Sequence, residues 1–270
     1  MARTIQVSIA RFEKSQGRNV ALLLATAMVC GVLLLLEGYG YHLRWFFLVY
    51  SAAILGWDLW VVAFTLSFFR LCSLAVIAGL AGYLTQLVGV SNRMWTYAGP
   101  FRSFYFVPFM FVLAGVAMYG LARYPFTGFF RLTQAPRNRW ANLLLAALLI
   151  AAFWLDVDRF PGQLTWGFRI YYLFLTAFLI YGSRLLSFRS LSAVVGAAWI
   201  VGFASEFLGA KSDLWTFSTL SGRPPFFLVF ASWPMEFFLH YTLSGIIAGE
   251  SLDTLGAYAR EDVVSRDDGP

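Results

Sequence analysis

Residues 68–97 read FFRLCSLAVIAGLAGYLTQLVGVSNRMWTY, and residues 188–217 read FRSLSAVVGAAWIVGFASEFLGAKSDLWTF. Each stretch is an apolar run that starts beside an arginine and ends at a Trp-Thr-aromatic triplet. Phe69-Arg70 aligns with Phe188-Arg189 at an offset of 119 residues, and Trp95 aligns with Trp215 at an offset of 120. Each run has the length that a helix needs to span a bilayer, roughly 17–25 residues. The pair therefore predicts a membrane protein with an internal repeat.

The composition of the whole chain supports this prediction. Of its 270 residues, 60% are hydrophobic and only 13% are charged, whereas a soluble domain has about 25% charged residues. One globular core could not bury so much apolar surface, so the expected surroundings are membrane lipids. The net charge of +6 comes from basic residues in short loops between apolar runs. That arrangement indicates membrane topology and argues against a nucleic-acid partner.

Further apolar runs extend the same pattern along the chain. Irregular backbone cannot face lipid, and the alternation typical of membrane β-strands is absent, so we interpret the runs as helices. The predicted fold is an all-α integral membrane protein with about eight transmembrane helices. The predicted spans are residues 20–38, 44–66, 70–90, 102–122, 140–156, 167–186, 190–209 and 225–248.

The distribution of basic residues predicts the orientation. With the N-terminus inside, 13 of the 20 lysines and arginines lie on the cytoplasmic side. Cytoplasmic loops carry the excess of such residues, so both termini are expected in the cytoplasm and the protein in the inner (plasma) membrane. The cytoplasmic segments are predicted as an N-terminal tail (1–19), a basic linker (123–139) and a polar, acidic C-terminal tail (249–270).

The repeat extends beyond the two quoted stretches, and it divides the chain into four-helix units at 20–122 and 140–248. Four helices per unit is an even number, so both units face the same way. This predicts a parallel repeat with a pseudo-axis along the membrane normal and a site at the interface. The further matches are Arg18-Asn19 with Arg137-Asn138, Glu37 with Asp156, and Pro108-Phe109-Met110 with Pro234-Met235-Glu236.

Ionisable residues inside a membrane are costly and are functional candidates by default. Glu236 lies near the middle of the last span, and His240 follows on the same helix face. A carboxyl group at that depth favours its neutral form, which can donate a proton. The alternative is a structural hydrogen bond between Glu236 and His240 that braces the helices.

Two further acids have no acidic counterpart in the other unit. Glu206 stands where the first unit has Gln86; this indicates either a specialised role or a structural ion pair with a basic residue of the next loop. Asp58 is either a proton-handling group or the partner of an arginine on a neighbouring helix. The matched pair Glu37 and Asp156 is interpreted as interfacial.

The aromatic triplets at 95–97 and 215–217 allow two interpretations. They anchor the chain in the interface, or they roof a cavity for an apolar ligand, where aromatic faces would also stabilise a carbocation. No phosphate-binding Gly-rich loop, G-x-S-x-G, H-E-x-x-H or C-x-x-C motif occurs. With only two histidines and two cysteines in the chain, we predict no cofactor and no metal site.

The run from Glu206 through Gly209, Trp215-Thr216-Phe217 and Trp233-Pro234-Met235-Glu236-Phe237-Phe238 resembles the membrane-embedded lycopene cyclase domain. That family carries a Trp-x-aromatic element followed by a Pro-x-Glu-Glu-x-x-Phe-Phe-like element. The resemblance covers residues 188–248, with a fainter echo at 69–122. Phe237 stands where the family has a second carboxylate.

The resemblance implies a membrane isomerase of carotenoid biosynthesis, with a carotenoid or another apolar isoprenoid as ligand. Glu236 would protonate a terminal double bond, and Glu206 or Asp58 would remove a proton after ring closure; His240 accompanies them as a candidate. The candidate substrate-binding residues are Trp95, Trp215, Phe217, Trp233 and Phe237. Two alternatives stay open: a non-catalytic structural or pigment-binding subunit, and a small transporter. Whether a homo- or hetero-oligomer completes the site also stays open.

Overall fold

The computed structural model describes residues 2–36, 45–64, 66–97, 105–123, 139–157, 165–218, 226–249 and 252. Within these ranges the chain is helical except for short turns and one two-stranded ribbon. The first half comprises α1 (Ala2–Leu36), α2 (Trp45–Phe64), α3 (Phe68–Ser91), β1 (Trp95–Tyr97) and α4 (Val107–Arg123). The second half comprises α5 (Arg139–Val157), α6 (Trp166–Gly182), α7 (Phe188–Lys211), β2 (Trp215–Phe217) and α8 (Phe226–Ala248).

Every predicted span coincides with a helix, and the boundaries differ by a few residues except in α1. That helix begins at Ala2 and therefore includes the segment predicted as an N-terminal tail. Three of the described helical segments are long and apolar enough to cross a membrane: Gly17–Leu36, Phe68–Ser91 and Phe188–Lys211. Shorter apolar helices are Phe47–Ala63, Val107–Arg123 and Arg139–Leu155.

The helices of the two halves pack in corresponding ways. Helix α3 lies against α4, and α7 lies against α8; across the halves, α3 contacts α8 and α4 contacts α7. The peripheral helices follow the same rule, because α1 and α2 pack on α4 while α5 and α6 pack on α8. The core of the molecule is therefore formed by α3, α4, α7 and α8, two helices from each half.

Matching side chains fix the ends of corresponding helices. Ser67 caps α3 by accepting a hydrogen bond from the Arg70 N–H, and Ser187 caps α7 by accepting one from the Ser190 N–H, each at 3.2 Å. Such caps typically contribute about 1 kcal/mol. The caps pair Arg70 with Ser190, whereas the sequence alignment paired Arg70 with Arg189.

A buried asparagine in the first helix of each half bonds to the turn before the third helix. The Asn19 amide donates to the Leu66 carbonyl at 2.7 Å, and the Asn142 amide donates to the Leu186 carbonyl at 2.9 Å. The sequence comparison matched Asn19 with Asn138, which lies outside the described residues. In the structure Asn142 makes the corresponding bond, so that pairing was displaced by about one helical turn.

The two aromatic triplets meet as an antiparallel ribbon. Trp95 pairs with Phe217, Thr96 with Thr216 and Tyr97 with Trp215, and the two threonine hydroxyls bond to each other at 3.1 Å. Before each strand the chain turns through a residue with positive φ, Arg93 (54°) or Asp213 (59°). The ribbon thus joins the two halves at one end of the helices.

Aromatic pairs continue this contact between the halves away from the ribbon. The rings of Phe111 and Trp233 stack at 5.4 Å with planes 8° apart, and those of Tyr119 and Tyr241 lie 5.9 Å apart. The Arg70 guanidinium lies 5.3 Å from each of the two tyrosine rings. We call these two ring pairs the aromatic column. Arg70 lies between two of its rings, and the faces of aromatic rings attract cations.

Candidate functional site

A partly open cavity lies between the two halves, next to the ribbon. We call it the central cavity. Its lining is mostly aromatic and aliphatic, with a few polar groups, as in many small-molecule sites. The lining residues come from both halves: Thr85, Gln86, Trp95, Tyr97, Phe106, Val107, Met110, Phe111, Ala114, Tyr172, Ser205, Glu206, Trp215, Phe217, Leu228, Val229, Ser232, Trp233 and Glu236.

Glu206, on α7, presents a carboxyl group held by two tryptophans. One carboxyl oxygen accepts a hydrogen bond from the Trp215 indole N–H and the other accepts one from the Trp233 indole N–H, both at 3.0 Å. The small residue Gly209 lets Trp215 lie this close to α7, because a Cβ there would come within 2.1 Å of the ring. The sequence left open an ion pair for Glu206; in the structure its hydrogen-bond partners are the two indoles.

Gln86 occupies the corresponding position on α3. Its side-chain oxygen accepts hydrogen bonds from the Trp95 indole N–H at 2.7 Å and from the Tyr97 hydroxyl at 2.6 Å. Gly89 has the role of Gly209, since a Cβ there would come within 1.9 Å of the Trp95 ring. The two halves therefore use one geometry to place a neutral amide on one side of the cavity and an acid on the other.

Glu236, on α8, brings a second carboxyl group to the same cavity. The residue is only 4% exposed, and its carboxyl group interacts with the Thr85 hydroxyl and with Glu206. The α4 and α8 residues that line the cavity match at a constant offset of 122, which also relates Phe111 to Trp233 and Tyr119 to Tyr241. At that offset Ala114 stands opposite Glu236, so the pairing of Met110 with Glu236 in the sequence alignment was wrong by one helical turn.

A tyrosine from the second helix of each half crosses to the third helix of the other half. The Tyr171 hydroxyl bonds to the Thr85 hydroxyl at 2.8 Å, and the Tyr50 hydroxyl bonds to the Ser205 hydroxyl at 2.8 Å. The Tyr171–Thr85 pair lies next to an acid, Glu236 on α8. The Tyr50–Ser205 pair has no such neighbour at the matching position on α4, because that residue is Ala114. Sequence reasoning missed both pairs.

Asp58 and His240 lie away from the cavity lining. Both are buried, at 0% and 1% exposure. Neither Asp58 oxygen and neither ring nitrogen of His240 has a hydrogen-bond partner among the described residues. The structural alternatives, a hydrogen bond between Glu236 and His240 and a partner arginine for Asp58, are therefore not seen in this part of the chain.

The aromatic candidates divide in the same way. Trp95, Trp215, Phe217 and Trp233 line the cavity, whereas Phe237 is fully buried outside it. Glu37 and the side chain of Asp156 lie outside the described part of the chain. Among the described residues, no three His, Cys, Asp or Glu side chains come together as a metal site.

No protein family, curated protein or solved structure matches this chain. The geometry of the cavity is therefore the main indication of function. That geometry provides two acids, a polar amide and four aromatic rings that sequence analysis had singled out. The structure adds Thr85, Phe111, Tyr171 and Tyr172 to these candidates. Of the four, Thr85 had a signal in the sequence, because Thr85-Gln86 matches Ser205-Glu206.

Proposed function

We propose that the chain is an integral membrane protein that spans the bilayer eight times as two parallel four-helix repeats. The corresponding helix contacts, the paired serine caps and the antiparallel pairing of the two triplets support this proposal. Two parallel repeats related by an axis along the membrane normal would bring equivalent strands together in this way. The composition supports lipid as the surroundings, with both termini in the cytoplasm and the inner (plasma) membrane as location.

The proposed activity is acid-catalysed isomerisation of a long apolar isoprenoid, of the lycopene cyclase type. The observation that carries it is the presence of two carboxyl groups, Glu236 and Glu206, in one aromatic-lined cavity between the halves. An acid and a base held apart in one apolar site are what protonation and later deprotonation of a hydrocarbon need. The sequence resemblance over residues 188–248 supports the same reaction.

In the proposed reaction the neutral Glu236 carboxyl donates its proton to a terminal carbon–carbon double bond. The resulting tertiary carbocation is attacked by the neighbouring double bond, and this closes the ring. Glu206 in its carboxylate form then removes a proton next to the cationic carbon, which leaves a new double bond. The product is an isomer of the substrate, and a proton returns from Glu206 to Glu236 before the next cycle.

The surroundings of the two acids support these separate roles. Two indole N–H groups donate to the two oxygens of Glu206, so each oxygen of this carboxyl group has a donor. Glu236 lies beside the Thr85 hydroxyl and is almost fully buried. The faces of Trp215, Trp233 and Phe217 would stabilise the intermediate cation.

Expression in a lycopene-accumulating bacterium tests the proposal. We expect cyclised carotenoids in the chromatogram of the pigments, and at least a 100-fold loss of conversion for Glu236→Gln, since general acid catalysis contributes about 10²–10⁴-fold. Asp58→Asn, which changes an acid outside the cavity, is the matched control and should keep the activity. Unchanged lycopene with the folded wild-type protein would contradict the cyclase proposal; lycopene that purifies unaltered with the protein would indicate passive pigment binding.

Glu206→Gln provides a second test, because Gln86 shows that an amide fits this geometry. We expect the variant to fold, to keep one indole hydrogen bond and to lose conversion, since the amide cannot accept the proton. Conversion at the wild-type rate would exclude Glu206 as the base. The pigment profile and the amount of folded protein in the membrane are the measurements.

A further inference from the structure

Gln86 carries hydrogen-bond donors that its protein partners do not use. The residue is 9% exposed and lines the central cavity. Tryptophan N–H is a donor only, so the Gln86 atom that faces Trp95 at 2.7 Å is the oxygen, and the amide orientation is fixed. The Tyr97 hydroxyl contacts the same oxygen at 2.6 Å. The amide nitrogen is therefore directed away from this pair.

The amide nitrogen of Gln86 makes no hydrogen bond to any described residue. It is also not among the polar atoms sealed off in the interior, so it is accessible from the cavity. The hydroxyl groups nearby are already bonded, Thr85 to Tyr171 and Ser205 to Tyr50. An amide NH2 group without a hydrogen-bond partner in an apolar site carries a free-energy cost. In binding sites such polar groups orient the ligand.

The opposite side of the cavity is the reverse of this arrangement. Both oxygens of Glu206 accept hydrogen bonds from indole N–H groups, so Glu206 has no amide donor comparable to that of Gln86. The cavity is thus asymmetric: acids lie on the α7 and α8 side, and an open donor lies on the α3 side. A ligand that fits both sides has a double bond at one place and a hydrogen-bond acceptor at another.

We propose that the Gln86 amide donates a hydrogen bond to an oxygen atom of the ligand, so that the cavity prefers an oxygenated isoprenoid to the pure hydrocarbon. The isoprenoid character of the ligand rests on the proposed function, whereas the preference for oxygen rests on Gln86. The ligand class is a linear polyene or isoprenoid with a hydroxyl, ether or carbonyl group. Gln86 acts as a specificity-determining residue.

Binding to purified protein in detergent tests this inference without any assay of conversion. The probes are all-trans-retinol, its methyl ether and axerophthene, the hydrocarbon with the same polyene. Each polyene absorbs the emission of the cavity tryptophans, so binding is followed by quenching of their fluorescence. We expect the alcohol and the ether to bind about fivefold more tightly than the hydrocarbon, the ratio for one neutral hydrogen bond.

Two variants test whether the Gln86 donor, and not a change in folding, causes the preference for oxygenated probes. Gln86→Glu keeps an oxygen for Trp95 and Tyr97, as Glu206 does for its indoles, and in its carboxylate form it has no donor. The ether should lose its advantage, while the alcohol keeps it because its own O–H can donate to the carboxylate. In Gln86→Met both oxygenated probes should fall to the affinity of the hydrocarbon, whose binding should not change.

The outcomes distinguish this inference from the proposed function. Equal affinity of the wild-type protein for all three probes would overturn the inference, and so would an advantage of the ether that persists in both variants. Failure of all three probes to bind would overturn it as well. In each of these cases the conversion of lycopene, with Glu236→Gln beside it, decides the proposed function separately.

Discussion

Glu206 and Gln86 show how a single residue changes the chemistry at matching positions of the two halves. Both side chains accept a hydrogen bond from a tryptophan nine residues later, and both tryptophans lie against a glycine one turn after the polar residue. The backbone and the ring positions are therefore held in common. The difference between an amide and an acid then decides which side of the cavity donates hydrogen bonds and which exchanges protons.

Asp58 gives a prediction about stability at the residue scale. It follows Tyr50 by eight residues on α2, as Leu179 follows Tyr171 on α6. Its two oxygens are buried and have no hydrogen-bond partner in the described part of the chain. Because an unsatisfied buried polar group costs about 1–3 kcal/mol, we expect Asp58→Leu to increase the free energy of unfolding by about that amount. Thermal unfolding in detergent is the measurement.

The matched control for Asp58→Leu is Leu179→Asn, which puts a polar group into the fully buried position on α6. We expect this variant to lower the melting temperature. A lower melting temperature for Asp58→Leu would mean that Asp58 has a partner outside the described residues. Such a result would make Asp58 a structural anchor.

At the scale of elements, the junctions from α3 to β1 and from α7 to β2 shape the cavity. In each junction a tryptophan ring fills the space above a helical glycine and bonds back to the polar residue three positions before that glycine. The ring then lines the cavity as its wall. The helix, the turn and the strand therefore position the ring together.

Gly209→Ala tests the α7 junction. The added Cβ would come within 2.1 Å of the Trp215 ring, so the ring has to move and the hydrogen bond to Glu206 lengthens. We expect a loss of stability of about 1–3 kcal/mol, as for other overpacked sites, and reduced conversion of the substrate. Thermal unfolding and the pigment profile are the measurements.

Gly56→Ala serves as the control, because no atom lies within 4 Å of a Cβ added at that position on α2. Alanine there should leave stability unchanged or raise it by about 0.5–1 kcal/mol through better helix propensity. Equal effects of Gly56→Ala and Gly209→Ala would contradict the proposed contact between Gly209 and the tryptophan.

At the scale of the whole molecule, aromatic contacts connect the two halves from the ribbon to Arg70. The stacked pair Phe111–Trp233 lies beside the cavity, and Arg70 lies between Tyr119 and Tyr241 further along the same helices. On the Arg70 side, the four core helices and these aromatic pairs fill the space between the halves. The central cavity lies at the other end of these contacts, next to the ribbon.

The proposed parallel repeat predicts how the protein is labelled in a membrane. In a background without Cys30 and Cys72, we expect single cysteines at Ser91 and Lys211 to react with an impermeant thiol reagent from the same, outer side. Cysteines at Arg18 and Arg184 should react only after the membrane is opened. All four positions are exposed. Labelling of Ser91 and Lys211 from opposite sides would exclude a parallel repeat.

The positions of the helices and the correspondence between residues 68–97 and 188–217 can be predicted from the sequence alone. Apolar length and composition decide these features, because a helix satisfies its own backbone hydrogen bonds wherever the surroundings are apolar. The same local signal pointed to Glu206, Glu236 and the triplet tryptophans as candidates. It failed where the register depends on packing, as in the pairings of Glu236 with Met110 and of Asn19 with Asn138.

Only the tertiary structure decided which candidates share a site. Glu236 and His240 lie on one helix, yet Glu236 lines the cavity beside Thr85 and His240 is buried outside the lining. The contacts of Glu206 with Trp233, of Tyr171 with Thr85 and of Phe111 with Trp233 join different helices or different halves. Such contacts follow from how helices pack in three dimensions, and helix periodicity along the chain does not encode them.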